Sequence, residues 1–254
     1  MCIIYKMLPI DLPRENIYYK TKHGILYCGD CMEILQDIPN KTFDILITDP
    51  PYCYTSLSGA GCIQDRYEYR KEDLLKLSHF EPEPFLELIK TKLKYFHAYI
   101  WTDKNLLLNY LQFIKSNNYN FDILVWVKNN PIPAYHNTYL KDIEFCLFIR
   151  EKSRCTFNNG LGYDIYRKAM IDNVSPHVGG HPTVKHLWMI EKFLMVSTKE
   201  GDIVIDPFLG SGTTAVACEK MKRYWVGIEI EEKYCKIAVE RIKTETRQLR
   251  IFNF

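Results

Sequence analysis

Short apolar runs rich in β-branched and aromatic residues recur along the chain, each closed by a polar turn and followed by a stretch with helical spacing. Ile25–Cys28, Phe43–Thr48, His97–Thr102, Phe121–Lys128, Ile143–Arg150, Asp202–Asp206 and Tyr224–Ile230 predict seven strands. Between them, Cys31–Ile38, Phe85–Phe96, Lys104–Asn117, Val184–Ser197, Thr213–Met221 and Glu231–Thr246 predict helices. Strands this apolar belong in a sheet covered on both faces. The expected fold is therefore α/β, a doubly wound, mostly parallel sheet of seven strands. Two stretches carry no period: Cys53–His79 and Ser153–Gly180 are expected to be long surface loops, which in compact domains often carry function.

The length of 254 residues fits one domain with a small insertion. Hydrophobic residues at 47% and charged residues at 25% are those of a folded soluble domain, which excludes disordered and fibrous classes. A net charge of +2 announces no global basic field, so a polyanion partner would have to be met by a local patch. No apolar run approaches the roughly 18 residues of a membrane span, and the chain is expected to be cytoplasmic. Nine cysteines, an odd number, read as reduced core residues. Cys28-Gly-Asp-Cys31 has half the spacing of a zinc site but no second pair, so no metal is expected.

Asp202–Asp206 runs into Pro-Phe-Leu-Gly210-Ser-Gly212-Thr-Thr-Ala215 and then into a helix. A strand, a glycine turn and a helix N-terminus let backbone amides approach a nucleotide closely, and a side chain at Gly212 is expected to fill the ligand's space. The next strand ends in Glu229, an acceptor suited to ribose hydroxyls. Gly210-x-Gly212-x-x-Ala215 also matches a dinucleotide fingerprint, so the glycines leave the nucleotide open. Only 25 residues follow Glu229, whereas a dinucleotide fold needs several further strands there. The remaining strands lie upstream, which requires a circularly permuted sheet.

Phe43–Thr48 ends in Asp49-Pro50-Pro51-Tyr52. The prolines forbid helix or ladder continuation and hold the strand exit rigid. A carboxylate, a proline carbonyl and a flat ring suit a planar heteroaromatic bearing an amine: Asp49 and the Pro50 carbonyl accept its hydrogens and Tyr52 stacks on its face. A rigid strand-exit turn without a ligand explains these residues equally well.

At this point the sequence resembles the S-adenosylmethionine-dependent DNA amino-methyltransferases in their β arrangement. Asp49-Pro-Pro-Tyr52 resembles their catalytic motif, and Asp206-Pro-Phe208-Leu-Gly210-Ser211-Gly212-Thr213-Thr214 their cofactor loop. His181-Pro-Thr183-Val-Lys185 is similar to the segment that closes over the methionine part of the cofactor. Leu26–Leu35 is similar to the strand and turn whose acid, here Asp30, reaches the cofactor adenine. His186 departs from the pattern, standing where many members carry a second proline. The resemblance implies a class I methyltransferase sheet with a catalytic half over residues 25–150, a target-recognition insertion over 151–180 and a cofactor-binding half over 181–246.

It also implies methyl transfer from S-adenosylmethionine to an exocyclic amine of double-stranded DNA, with the target base rotated out of the helix. Asp in the first motif position is associated with adenine N6 and Ser with cytosine N4, so adenine is favoured and cytosine is the alternative. The chain has no Pro-Cys dipeptide, which argues against carbon-5 cytosine chemistry. Arg150, Lys152, Arg154, Arg167 and Lys168 are the expected DNA contacts. A homodimer and a cognate restriction endonuclease are the expected further partners. A nicotinamide-dependent oxidoreductase would explain Gly210, Gly212 and Glu229 but not Asp49–Tyr52, and a catalytically silent nucleic-acid-binding subunit would not need the intact Asp49. RNA adenine and a protein amide are further possible substrates.

Overall fold

A computed structural model describes residues 9–10, 12–52, 80–131, 139–174 and 184–251. Its centre is one nine-stranded sheet. In chain order the strands are β1 (Ile17–Lys20), β2 (Gly24–Cys28), β3 (Ile45–Thr48), β4 (His97–Thr102), β5 (Asn120–Lys128), β6 (Ile143–Arg150), β7 (Ala169–Asp172), β8 (Ile203–Asp206) and β9 (Tyr224–Glu229). In space they run β1-β2-β9-β8-β3-β4-β6-β5-β7. All seven expected strands are present; β1 and β7 are additional edge strands. Each has only four residues, too short to show a period. The sheet is parallel from β2 through β4, and antiparallel at β1 and on both sides of β6.

The described residues form six α-helices, α1 (Cys31–Asp37), α2 (Pro82–Lys92), α3 (Leu107–Ser116), α4 (Leu187–Ser197), α5 (Thr213–Met221) and α6 (Glu232–Ile251). Alternate strand residues serve opposite faces. Leu46, Ala98, Ile100, Ile205 and Val226 pack with α1, α2 and α3, whereas Ile47, Tyr99, Trp101, Val204 and Trp225 pack with α4, α5 and α6. These described helices, three on each face, give the doubly wound arrangement. Among the described residues no helix is long and apolar enough to cross a membrane.

The strand order reverses between β8 and β3. From β8 the sheet continues through β9 to β2 on one side, and from β3 to β4 on the other. A crevice opens at the carboxyl ends of strands at such a switch point. Asp206 and Asp49 stand at those ends, so residues distant in sequence become neighbours.

The stretch 153–174 is not a free loop. Asn158 holds the end of α4 through its side-chain amide on the Met195 carbonyl at 2.7 Å and the Thr198 carbonyl at 2.9 Å. The Tyr166 hydroxyl donates to the Asn158 carbonyl at 2.6 Å, and β7 then adds to β5, burying Met170. The remainder of Ser153–Gly180, and all of Cys53–His79, lie outside the described residues.

Candidate active site

β3 is fully buried, and the chain leaves it at Asp49 with Pro50 buried and Pro51 and Tyr52 half-buried. The Tyr52 hydroxyl donates to Asp49 Oδ1 at 2.8 Å, and Lys185 Nζ donates to Asp49 Oδ2 at 2.5 Å. Lys185 precedes α4 and is buried, 5.0 Å above the Trp101 ring and 5.8 Å from the ring of Tyr52. It also lies 3.2 Å from Glu144 Oε2 on β6. Burial opposes its charge, but the carboxylates of Asp49 and Glu144 outweigh this and hold its pKa above the ordinary lysine value. Glu144 shows the mirror effect: burial works against its ionisation, and Lys185 and Lys128 hold its carboxyl below the usual range.

The turn after β8 is fixed by different forces. Asp206 Oδ1 accepts the Thr48 hydroxyl at 2.8 Å and the Phe208 amide at 3.2 Å, while Oδ2 accepts the Thr214 hydroxyl at 2.6 Å. One carboxyl thus ties β8 to β3 and to α5. Burial pushes its pKa up to about 7, partly countered by the Thr214 and Thr48 hydrogen bonds. Glu229 ends β9 and accepts the Gly210 amide on Oε2 and the Glu231 amide on Oε1, both at 2.9 Å. Its pKa is also raised by burial. Phe208 packs edge-on against Phe80 and Phe85, at 5.4 and 5.3 Å. The Ser211 and Thr213 hydroxyls both accept Arg241 Nη1, at 3.2 and 2.7 Å, which locks the loop to α6.

Gly212 begins α5 in the left-handed region at φ 83°. A Cβ there would lie 3.1 Å from the Ala238 Cβ and 3.2 Å from its Cα. The glycine is thus required by backbone hand and by the close approach of α6, a constraint that the sequence expectation of ligand space did not include. Asp30 follows β2, whose Cys28 pairs with Glu229, so the two acids end adjacent strands. Asp30 is exposed and caps α1 by accepting the Met32 amide at 2.7 Å. The neighbouring Cys31 thiol is buried and pushed up to about 12, which keeps it protonated. His181 and Thr183 lie outside the described residues.

The structure therefore gathers Asp49–Tyr52, Lys185, Asp206–Thr213, Glu229 and Asp30 at one end of the sheet. Of the five cations it does not gather Arg150 there, nor Lys152 and Arg154 just after it, whereas Arg167 and Lys168 come just before Ala169, which stands level with Thr102 through Val125 and Phe145. β6 runs antiparallel to β4, so Arg150 pairs with His97, at the opposite end of β4 from Thr102. Five residue steps, roughly 17 Å, separate those levels. Arg150 stacks 4.9 Å over Phe157, Arg154 is 3.7 Å from Glu151, and Arg167 is 3.8 Å from Asp164. Lys168 pairs with Asp122, and Lys152 is exposed beside Arg154.

Glu144, Lys128, Thr48 and Arg241 escaped the sequence reading. A signal existed for Glu144: in Ile143-Glu-Phe-Cys-Leu-Phe-Ile-Arg150 it shares its sheet face with Cys146 and Phe148, where a charge requires a partner.

Residues 43–240 match a family model described as DNA methylase. The Type II methyltransferase M2.DpnII of Streptococcus pneumoniae is 29% identical over 249 residues, covering 90% of this chain and 92% of that protein. Among solved structures, an M1.HpyAVI–SAM complex is similar at 28% identity with a TM-score of 0.63, over 85% of this chain and 98% of that one. The cytosine-N4-specific PvuII DNA methyltransferase, at 16% identity and a TM-score of 0.69 over 92% of this chain and 95% of that one, shows the shared fold alone.

Proposed function

The chain belongs to the DNA methylase family, and from that premise we propose that it transfers a methyl group from S-adenosylmethionine to the exocyclic N6 amine of an adenine rotated out of double-stranded DNA. The observation that carries this reading is the strand-exit carboxylate Asp49, bonded to Tyr52 and Lys185 and set beside the β8 turn across the switch point.

The strand ends fit the cofactor. Asp30 and Glu229 terminate neighbouring strands with acceptors for ribose hydroxyls and an adenine amine, and the Gly210–Gly212 turn opens α5 beside them. Phe208, Ser211, Thr213 and Lys185 border the same turn; His181 and Thr183 belong to this set by the family resemblance. S-adenosylmethionine, when bound, supplies a methyl group on a cationic sulfur. The chain's own residues prepare the acceptor. An aromatic amine is a weak nucleophile because its lone pair is delocalised into the ring. Accepting its hydrogens at Asp49 and the Pro50 carbonyl favours a pyramidal nitrogen and stabilises the positive charge that develops there. Tyr52, anchored through its hydroxyl, offers its ring as a stacking platform. Asp rather than Ser at position 49 favours adenine over the N4 amine of cytosine.

DNA approaches the end of the sheet that carries Asp49. Lys104, just after β4, and Lys141, just before β6, are exposed at that end and are suited to its phosphates. A second copy of the chain to extend the DNA-binding surface and a cognate restriction endonuclease complete the proposal, which accords with the Type II names of the relatives.

The test is incubation with isotope-labelled S-adenosylmethionine and duplex DNA of mixed sequence, followed by digestion and nucleoside mass spectrometry. N6-methyladenine is expected. Label in N4-methylcytosine alone would replace adenine with cytosine, and label in neither would remove the proposal.

A further inference from the structure

Four charges of alternating sign run across the sheet into the site: Lys128 on β5, Glu144 on β6, Lys185 before α4 and Asp49 after β3. Lys128 Nζ donates to Glu144 Oε1 at 2.5 Å, Lys185 Nζ stands 3.2 Å from Glu144 Oε2, and the same Nζ donates to Asp49 Oδ2 at 2.5 Å. Lys185 is only 8% exposed, and a buried ammonium is tolerated only with anionic partners. Glu144 Oε2 is itself buried, and its 3.2 Å pairing with Lys185 is longer than the 2.5 Å contact of the same ammonium with Asp49.

This arrangement conflicts with the proposed reaction. Asp49 Oδ1 already accepts Tyr52 and Oδ2 already accepts Lys185, so the oxygen that meets a hydrogen of the target amine must share itself with one of these donors. The conflict is electrostatic as well as geometric. Positive charge develops on the amine nitrogen as the methyl arrives, and an ammonium held on the same carboxylate oxygen repels it. Lys185 must leave Oδ2 without leaving its anionic surroundings. Its second partner, Glu144 Oε2, already pairs with it at 3.2 Å and can hold it alone after a small shift.

We infer that Glu144 is a positioning residue that draws Lys185 off Asp49 when the target amine enters, so that the Asp49 carboxylate is uncovered where positive charge develops. The inference rests on the methyl-transfer reading above. Lys185 keeps its proton throughout and exchanges one carboxylate for another. Trp101, beneath Lys185, gives the ammonium a polarisable surface over which to move between them.

Glu144→Gln keeps the side chain's shape and removes the charge that competes for Lys185. It should lower kcat at least tenfold while the Kd for S-adenosylmethionine and the KM for DNA stay within about twofold. Glu144→Asp, which restores the charge at shorter reach, should recover part of the loss. The decisive variant combines Glu144→Gln with Lys185→Met, compared by kcat at saturating S-adenosylmethionine because Lys185 also borders the cofactor turn: with no cation left on Asp49, the double variant should turn over faster than Glu144→Gln alone. A residue that merely supports the fold would make the double variant equal or slower. Should Glu144→Gln melt early, Glu144→Asp is compared with its own Lys185→Met double, and the same reversal is expected at smaller size. The inference is overturned if the wild type methylates the amine while Glu144→Gln stays within twofold of it in kcat, or if Lys185→Met fails to speed the weakened variant. Failure of the underlying reading is a separate result, in which the wild type itself yields no methylated amine.

Discussion

The turn after β8 and the exit of β3 lie side by side at one end of the sheet, but they hold their charged groups in opposite ways. In the turn, Asp206 and Glu229 are buried among neutral donors, hydroxyls and amides, and both pKa values rise. At the exit, Lys185 and Glu144 are buried against opposite charges, and each is held more firmly in its ionised form. The donors in the turn belong to backbone or to short side chains on regular elements, so they cannot relocate. The partners at the exit sit on flexible or loop-borne side chains and can be exchanged. A fixed cradle suits a cofactor that binds the same way in each cycle. Exchangeable ion pairs suit a site that a base must enter and leave.

The largest expected effect breaks the exit and leaves the turn intact. Asp49→Ala should retain S-adenosylmethionine binding by calorimetry and lose methyl transfer by roughly 10²–10³-fold or more, the usual cost of one preorganised electrostatic partner. Binding that fell in parallel with turnover would show that the two regions are not separable.

Next in size is the pH dependence of the turn. A carboxyl whose folded pKa is about 7, against an ordinary value of 3.8, favours the folded state most when protonated. That stability is fully present below about pH 4 and is lost as pH rises toward 7. Three pKa units set a ceiling of about 4 kcal/mol. Asp206→Asn, which mimics the protonated acid, should flatten the fall in melting temperature between pH 4 and 8, and an unchanged slope would assign the titration to another group. Smaller again, Gly212→Val should cost roughly 3 kcal/mol of stability without any cofactor present, from left-handed strain and crowding against Ala238. A variant that melts normally yet fails to bind cofactor would return the side chain to the ligand's space.

Much of this contrast was legible in the chain. Continuous apolar runs predicted the central strands, because burial on both faces suppresses alternation, and the glycine turn and the Asp49–Tyr52 exit marked where the sheet stops. Position in the sheet was not legible. Arg150, Lys152 and Arg154 are near neighbours in sequence and promised a basic patch, but the antiparallel course of β6 carries them to the His97 end of β4. The same reversal brings Glu144 to Lys185, a contact between residues 41 apart that only the strand direction creates. Thr48 and Asp206 met for a comparable reason, the adjacency of β3 and β8.

The smallest expected effect sharpens the account of the exit. Tyr52 contributes there through its hydroxyl on Asp49 Oδ1 and, in the proposed reaction, through its ring. Tyr52→Phe removes the first and keeps the second. An ordinary intramolecular hydrogen bond is worth roughly 0.5–1.5 kcal/mol, and one to a charged acceptor somewhat more, so a several-fold change in kcat/KM is the scale to expect. Its direction is informative. Losing the hydroxyl frees Oδ1 for the amine but also releases the carboxylate from one of its two anchors. If orientation of Asp49 governs the rate, Tyr52→Phe should be slower by about threefold to tenfold and Tyr52→Ala slower still, since stacking adds roughly 1–3 kcal/mol. If access to the carboxylate governs it, as the competition of Lys185 for Oδ2 suggests, Tyr52→Phe should match or exceed the wild type while Tyr52→Ala falls. Steady-state kinetics on one duplex separates the two, and the second result would place both Asp49 partners among the groups that must yield before a base can bind.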